Sequence, residues 1–361
     1  MYKSFLTLCL SLFLGYNTVV AQDSLLSLSD AVQIALQKNY QISVAKRNRK
    51  IADNNASPGN AGLLPQISAN ASFNRSVEQF EASGAIFEVD TSGVQADQLS
   101  ASLNFNYVLF DGFGNVYRFR SLQNLKDQSG VQQRLQIENT LFQVIQQFLQ
   151  VAAFDKALQI TERAIDRSLV RLQQAENRFE LGTGTRLEVL NARVDLNTDS
   201  VNYFQARTNL ENAKRSLNVN LSLDPLNPVS VLEEIRLNKT LSSAELLTAA
   251  EVQNASLVIS KLNLDNARLG LKSEKAGRYP VISLQGSYLY NNIDGGAGIF
   301  NQTTTSGFNG GITVSFNLFN GTQQEIRIKN AQISLKSNQD EYEFARLALR
   351  RDVLNAFETY Q

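Results

Sequence analysis

Two parts of this chain are written twice. The stretch "VLFDGFGNVYRFR" (Val108 to Arg120) returns, altered, as "NLFNGTQQEIRIK" (Asn317 to Lys329), 209 residues later. A longer stretch, "KNYQISVAKRNRKIA…GLLPQISANASF" (Lys38 to Phe73), lies without gaps over Gln253 to Tyr288, 215 residues later. Asn39/Asn254, Gly62/Gly277, Pro65/Pro280, Ser68/Ser283 and Ser72/Ser287 are identical pairs. Both matches keep their order, and the offset changes only in the loop between them. The chain is therefore a tandem duplication of one long unit rather than a short-period solenoid. Whatever fold the first copy takes, the second must be able to repeat it.

Composition narrows what that unit does. Lys+Arg and Asp+Glu are both 34, so there is no basic excess of the kind a nucleic-acid partner requires. Histidine is absent, and the sole cysteine, Cys9, lies in the first apolar run. That run, Phe5 to Leu14 behind Lys3 and ahead of Val19-Val20-Ala21, reads as a signal peptide over residues 1–21. Once it is removed, a His/Cys metal site, a His-based triad and a cysteine nucleophile are all impossible. The remaining acids lie among Lys and Arg along helices, the pattern of a solvated face. No catalytic residue, metal site or cofactor is expected. Beyond the leader, no apolar run approaches the roughly 18 residues of a membrane helix.

The only prolines are at 58, 65, 225, 228 and 280, and long helices fill the gaps. Asn115 to Leu181 holds one glycine, Gly130, and as a single helix of about 66 residues would run roughly 100 Å. Ile137, Val144, Val151, Leu158, Ile165, Leu172 and Phe179 recur every seven residues, which makes helices supercoil in pairs. The partner seam is Val189, Leu196, Tyr203, Leu210 and Leu217 on a return helix, Thr185 to Ser222. Between them "FELGTGTRLEVL" reads as a tight hairpin tip. Gly182 suits a positive-φ helix end, and Thr185-x-x-Glu188 is a capping box. A further helix is expected from the capping box Ser242-x-x-Glu245 to Lys275, stacked on the return helix, and another from Asp30 to Ala56.

Four segments alternate with period two. In Gln66 to Asn74, Ile67 and Phe73 oppose Ser68 and Asn70. In Leu99 to Phe110, Leu103, Phe105 and Tyr107 oppose Asn104 and Asn106. In Val281 to Asn291, Ile282 and Tyr288 oppose Ser283 and Gln285. In Phe308 to Phe319, Ile312, Val314 and Phe316 oppose Thr313 and Ser315. One face carries aromatics and aliphatics; the other carries small uncharged polar groups. A transmembrane β-strand with a lipid face and a lumen face is written this way. Loops are expected at Val77 to Gln98 and Asn292 to Gly307. Asp111-Gly112 and Asn320-Gly321 end a strand and launch a helix. Four strands cannot enclose water, and open edges are not tolerated in lipid, so several chains must share one barrel.

At this point the chain resembles the TolC-type outer-membrane efflux protein family over nearly its whole mature length. The resemblance rests on the duplication, on "LPQISANASF", on "LFDG" before a long helix, and on "RFELGTGTRLEVLNAR" (Arg178 to Arg193). It implies a mainly α fold with a transmembrane β part. Each duplicated unit has two β-strands plus long coiled-coil-like helices, in a trimer whose 12-strand β-barrel continues into a periplasmic α-helical barrel. The implied function is the outer-membrane exit duct of a tripartite efflux or type I secretion system, passing drugs, toxins or proteins. The implied partners are a periplasmic adaptor (membrane fusion) protein, an inner-membrane RND or ABC transporter, and outer-membrane lipid. Gly182, Thr183, Gly184, Thr185 and Leu187 would be the adaptor-contacting tip. The alternative is a periplasmic coiled-coil adaptor of such a pump.

The expected organisation is then a first repeat over 22–228, an equatorial linker over 229–242, and a second repeat over 243–361. At the 209 offset Gln361 matches Ala152, so the second repeat is expected to be truncated within its long helix, without the family's second tip or gate.

Overall fold

The computed structural model describes residues 25–83, 88–232, 242–296 and 301–360. The expected signal peptide, residues 233–241 of the expected linker, and four residues of each expected strand loop lie outside them.

The chain divides into two compact units. The first joins Met1–Ser43 to Gln136–Asn238, and the second joins Val44–Leu135 to Lys239–Gln361. In chain order the elements are Leu28–Lys38 (α1), Tyr40–Asn55 (α2), Gln66–Ser83 (β1), Glu88–Phe110 (β2) and Gly114–Glu180 (α3). There follow Arg186–Asn220 (α4), Ser243–Gln253 (α5), Ala255–Ala276 (α6), Val281–Gly295 (β3), Gln302–Ser315 (β4) and Gln323–Tyr360 (α7). The two offsets found in the sequence map these elements onto one another. At 215, α1, α2 and β1 begin where α5, α6 and β3 begin; at 209, α3 begins where α7 begins.

Two expected helices are each broken in two. Asp30 to Ala56 divides at Asn39, and Ser243 to Lys275 divides at Asn254, the first identical pair of the duplication. Each Asn leaves the helical region (φ −62°, ψ 125° at Asn39; φ −65°, ψ 120° at Asn254). Each ends one helix with its own backbone N–H and caps the next with its side chain. Asn39 Oδ1 accepts from the N–H of Gln41 (2.8 Å), and Asn254 Oδ1 accepts from that of Leu257 (3.0 Å). Asparagine competes for backbone donors in this way, so it favours caps over helix interiors. The expected cap at Ser242 starts α5 without a side-chain hydrogen bond.

In the first unit the heptad seams meet as expected. Val144, Phe148 and Val151 of α3 pack with Leu210, Ala213 and Leu217 of α4, Leu221 beyond it, and Ala31 and Ala35 of α1. One register pin lies farther along. Ser168 of α3 is fully buried and donates to Asp199 of α4, with Arg171 donating to the same hydroxyl at 2.5 Å. A polar pair with one buried partner within an apolar seam fixes which turns face each other.

In the second unit the four strands form one antiparallel sheet in the order β1-β2-β3-β4. Register repeats with sequence. Gln66 pairs with Asn106, and their counterparts Val281 and Ser315 pair with each other. Three of the strands outrun expectation: β1 reaches Ser83, β2 starts at Glu88 and β3 reaches Gly295, so much of the expected loops is strand. The alternation fades there because charged residues (Glu78, Glu81, Asp90) replace the apolar ones, while backbone pairing continues. The fourth strand is shifted: β4 starts at Gln302 and stops at Ser315, leaving Phe316, expected to be a lipid-facing strand residue, beyond its end. Its counterpart β2 continues to Phe110 because Ile282 of β3 pairs with it there. Beyond Ser315, where its pairing with Val281 ends, β4 has no strand partner among the described residues.

Candidate functional site

Three places carry the residues singled out in the sequence: the faces of the sheet, the strand-to-helix turns and the helical tip.

Strand register sorts the sheet residues onto two faces. Ile67 lies opposite Phe105, which lies opposite Gly286, which lies opposite Gly310. One row further, Ala69, Leu103, Tyr288 and Phe308 align. Phe73, Tyr107, Ile282, Ile312 and Val314 fall on this same apolar face by alternation. The Phe308 ring lies over the bare backbone of Gly286 and Gly310, filling space their missing side chains leave. The other face aligns Ser68, Asn104, Ser287 and Asn309 in one row. Asn70, Asn106, Ser283, Gln285, Thr313 and Ser315 share it. Its groups bond one another: the Ser100 hydroxyl donates to Asn291 Oδ1 (2.6 Å), and that of Ser287 to Asn309 Oδ1 (2.8 Å). Leu289 is an apolar residue among them.

The apolar rows have an order along the strands. Rings share these rows with small residues: Phe105 with Gly286 and Gly310, Tyr288 and Phe308 with Ala69, and Tyr290 with Ala71 and Ala101. Just past Phe73, Arg75 makes a bidentate pair with Asp97 (2.6 and 2.5 Å). From Ile67 to Phe73 the apolar run spans about 20 Å along the strand.

The two turns are alike in backbone and unlike in surroundings. Gly112 and Phe113 both have positive φ (69° and 68°), as do Gly321 and Thr322 (66° and 68°). Asp111 Oδ2 accepts from the N–H of Asn115 (2.7 Å), and Asn320 Oδ1 accepts from that of Gln324 (3.4 Å), each capping a helix start. A Cβ on Gly112 would sit 2.5 Å from the Ala276 carbonyl oxygen and 2.9 Å from Tyr279, whereas one on Gly321 would meet nothing within 4 Å. The positive φ of Phe113 and Thr322 was invisible in the sequence, where neither residue advertises it.

Three donors converge on one carbonyl at the tip. The oxygen of Arg178 accepts from the backbone N–H groups of Thr183 (2.8 Å) and Gly184 (2.9 Å) and from the Thr183 hydroxyl (3.2 Å). Gly182 has φ 75°, as its position at the helix end requires, with open space around it. Gly184 is crowded rather than left-handed: a Cβ there would come within 3.0–3.1 Å of Arg178 and Phe179. Thr185 Oγ1 accepts from the N–H of Glu188 (3.2 Å), so the expected cap forms. Around this turn Leu181 and Leu187 are 78 % and 66 % exposed, an apolar display with no covering residue.

Among the described residues no helix is long and apolar enough to cross a membrane.

The family model described as outer membrane efflux protein matches residues 31–221 and 246–361. Outer membrane protein TolC of Escherichia coli is 23 % identical over 359 residues, covering 95 % of this chain and 69 % of that protein. The TolC of Vibrio cholerae is 24 % identical over 336 residues, covering 91 % and 73 %. Among solved structures, the Campylobacter jejuni CmeC outer membrane channel superposes with a TM-score of 0.72 at 16 % identity, covering 92 % of this chain and 71 % of that one. The outer-membrane channel OprN gives 0.72 at 17 %, covering 92 % and 74 %.

Proposed function

The chain belongs to the outer membrane efflux protein family, and from that premise we infer that it is a passive exit duct in the outer membrane, reaching into the periplasm and serving a tripartite efflux or type I secretion system. The observation that carries the finer reading is the continuous two-faced sheet, in which the outer edges of β1 and β4 have no strand partner among the described residues. An open sheet edge is not stable in lipid, so β4 of one copy must meet β1 of another. Three copies of a four-strand sheet give a 12-strand barrel. Its apolar face, where aliphatic and aromatic side chains lie among small residues, suits lipid, and its Ser/Asn/Gln face suits a water-filled lumen. In the four rows from Ser68 to Asn74 the described residues of that face are uncharged, so choice among drugs, toxins or proteins is assigned to the inner-membrane RND or ABC transporter.

The internal β2–β3 register implies the one between copies. Asn104 pairs with Ser287. Under the two offsets this becomes Thr313 of one copy beside Ser72 of the next. Helices support the same assembly: Phe142, Ile160, Val201 and Phe204 remain exposed on the α3–α4 hairpin, off its buried seam. A closed helical barrel would cover them.

The tip is the docking end. Its exposed leucines surround a turn whose polar groups are satisfied internally, so the display is available for an adaptor protein. Leu187→Asp is expected to change folding stability by no more than about 0.5 kcal/mol, as an exposed substitution, while abolishing most crosslinking to the adaptor from a cysteine at Thr183. Gly182→Val would instead disturb the turn, costing about 1–2 kcal/mol through its positive φ. Crosslinking that survives Leu187→Asp, or labelling of Thr183→Cys by an extracellular reagent, would remove the tip from the adaptor side. The alternative of a periplasmic adaptor loses its basis, since the family model and the solved channels match across the chain.

A further inference from the structure

Charge is sorted along the second unit. The helix segments that adjoin the strands are residues 44–55 of α2, 114–125 of α3, 265–276 of α6 and 323–334 of α7. They hold 11 Lys and Arg against 4 Asp and Glu. The excess stops there: farther along, α3 has seven of each sign, and α7 has four cations against five acids. At the other end of the sheet the sign reverses. From the Arg75–Asp97 row outward, the described strands carry six carboxylates and one cation, Arg75. A chain of zero net charge thus has a basic band, about 18 Å deep, where its helices meet its strands.

The band is not neutralised in place. Two of its acids are engaged, Glu325 by Arg278 (2.7 Å) and Glu274 by Arg327 (3.4 Å). Arg118, Arg120, Lys275 and Lys329 are exposed and have no ion pair among the described residues. Arg118 and Arg120 recur at the 209 offset as Arg327 and Lys329, so both copies carry the pair just past the turn. At the same edge Phe113 and Tyr279 are 59 % and 57 % exposed. Exposed rings beside cations are residue types of a headgroup layer.

We propose that this band is a docking surface for the anionic phospholipid headgroups of the leaflet on the helix side of the sheet. The proposal rests on the reading of the sheet as embedded in lipid. Place and charge specify the occupant. The apolar face ends at this edge, so the nearest surface of opposite charge is the phosphate layer of that leaflet. Cations spread over four helices match a plane of phosphates rather than one small anion. Such an attraction falls off within a Debye length, as the band itself does along α3 and α7. Arg118 and Arg120 are about 200° apart around α3, as are Arg327 and Lys329 around α7. In a closed barrel one member of each pair faces the leaflet and the other the interior, and the duplication makes the choice the same in both copies.

The test folds the full chain into vesicles of phosphatidylcholine, with or without phosphatidylglycerol, and reads the folded-to-unfolded ratio across a urea series. Phosphatidylglycerol is expected to raise that ratio at least about tenfold at an ionic strength of about 0.1 M. The gain should vanish at about 1 M, where the Debye length falls from about 10 Å to about 3 Å. Of two double variants, Arg118→Glu with Arg327→Glu and Arg120→Glu with Lys329→Glu, one should lose most of the gain and the other keep it. Each variant is compared with itself in the two lipids, so a general loss of stability cancels. Arg350→Glu, about 40 Å from the start of α7, should keep the whole gain. Insertion into both lipids to the same extent would overturn the proposal and leave the barrel standing; insertion into neither would overturn both. A gain that neither double variant reduces would overturn it too, and a shifted anion-to-cation conductance ratio in those variants would then assign the band to the interior of the duct.

Discussion

Leu103→Arg is expected to hinder insertion into the outer membrane by about 2–4 kcal/mol, the cost of a guanidinium on the lipid face near the bilayer midplane. The neighbouring change Asn104→Arg should cost far less. The two residues are adjacent in sequence, share a strand and make equivalent backbone pairs. They differ in which face they occupy. Leu103 lies in the row of Ala69, Tyr288 and Phe308, inside the apolar run from Ile67 to Phe73, and Asn104 in the row of Ser68, Ser287 and Asn309. Arginine on the second face can remain hydrated. The check is the fraction of each variant recovered folded in the outer membrane. Equal assembly of the two proteins would contradict the facing assigned to the whole sheet, because register links every strand to this one.

Gly112→Ala is expected to destabilise the chain by about 3 kcal/mol or more. A positive φ of 69° alone costs an L-residue about 1–2 kcal/mol. The added Cβ must also displace the Ala276 carbonyl, 2.5 Å away, and forced overpacking adds about 1–3 kcal/mol. Gly321→Ala shares the first cost and lacks the second, since its Cβ meets nothing within 4 Å. Urea unfolding of the two single-copy proteins in detergent should therefore differ clearly. Once copies assemble, the difference should shrink. The counterparts of Ala276 and Tyr279 are Ala61 and Leu64, so Gly321 would then meet those residues of the next copy. A Gly321→Ala protein that folds and assembles like the unaltered chain would mean that the second turn has no such neighbour.

Much of this architecture could be read from residue order because its repeats are physical. Period-seven apolar residues placed α3 and α4 and their seam. Period-two alternation placed the cores of all four strands. Gly182, Gly112 and Gly321 marked turns that do require positive φ. What stayed hidden shares a cause: it depends on neighbours distant in sequence. The strand ends past Asn74 and before Leu99 pair through backbone groups common to all residues, so no side-chain pattern marks them. The end of β4 at Ser315, ahead of Phe316, depends on an absent edge partner. Gly184 looks like ordinary turn chemistry, yet a side chain there would crowd the backbone at Arg178. The helix breaks had a signal that went unused: Asn39 and Asn254 were already the leading identical pair of the duplication, and asparagine in a long helical stretch is a capping residue. The asymmetry at Gly112 and Gly321 is the place where identical patterns meet different surroundings.

In the assembly we propose, three copies close one barrel, with β4 of each against β1 of the next in the register of β2 and β3. The sole native cysteine lies in the expected signal peptide, so introduced cysteines report alone. Ser72→Cys combined with Thr313→Cys should form a disulfide between copies on mild oxidation, because directly opposed residues bring their Cβ atoms to about 4.5–5.5 Å before any adjustment. In denaturing electrophoresis the account predicts bands of one, two and three copies and none beyond, while Ser72→Cys with Asn309→Cys, four residues out of register, stays at one. A chain that remains at one copy with the first pair, or a ladder that continues past three, would contradict it.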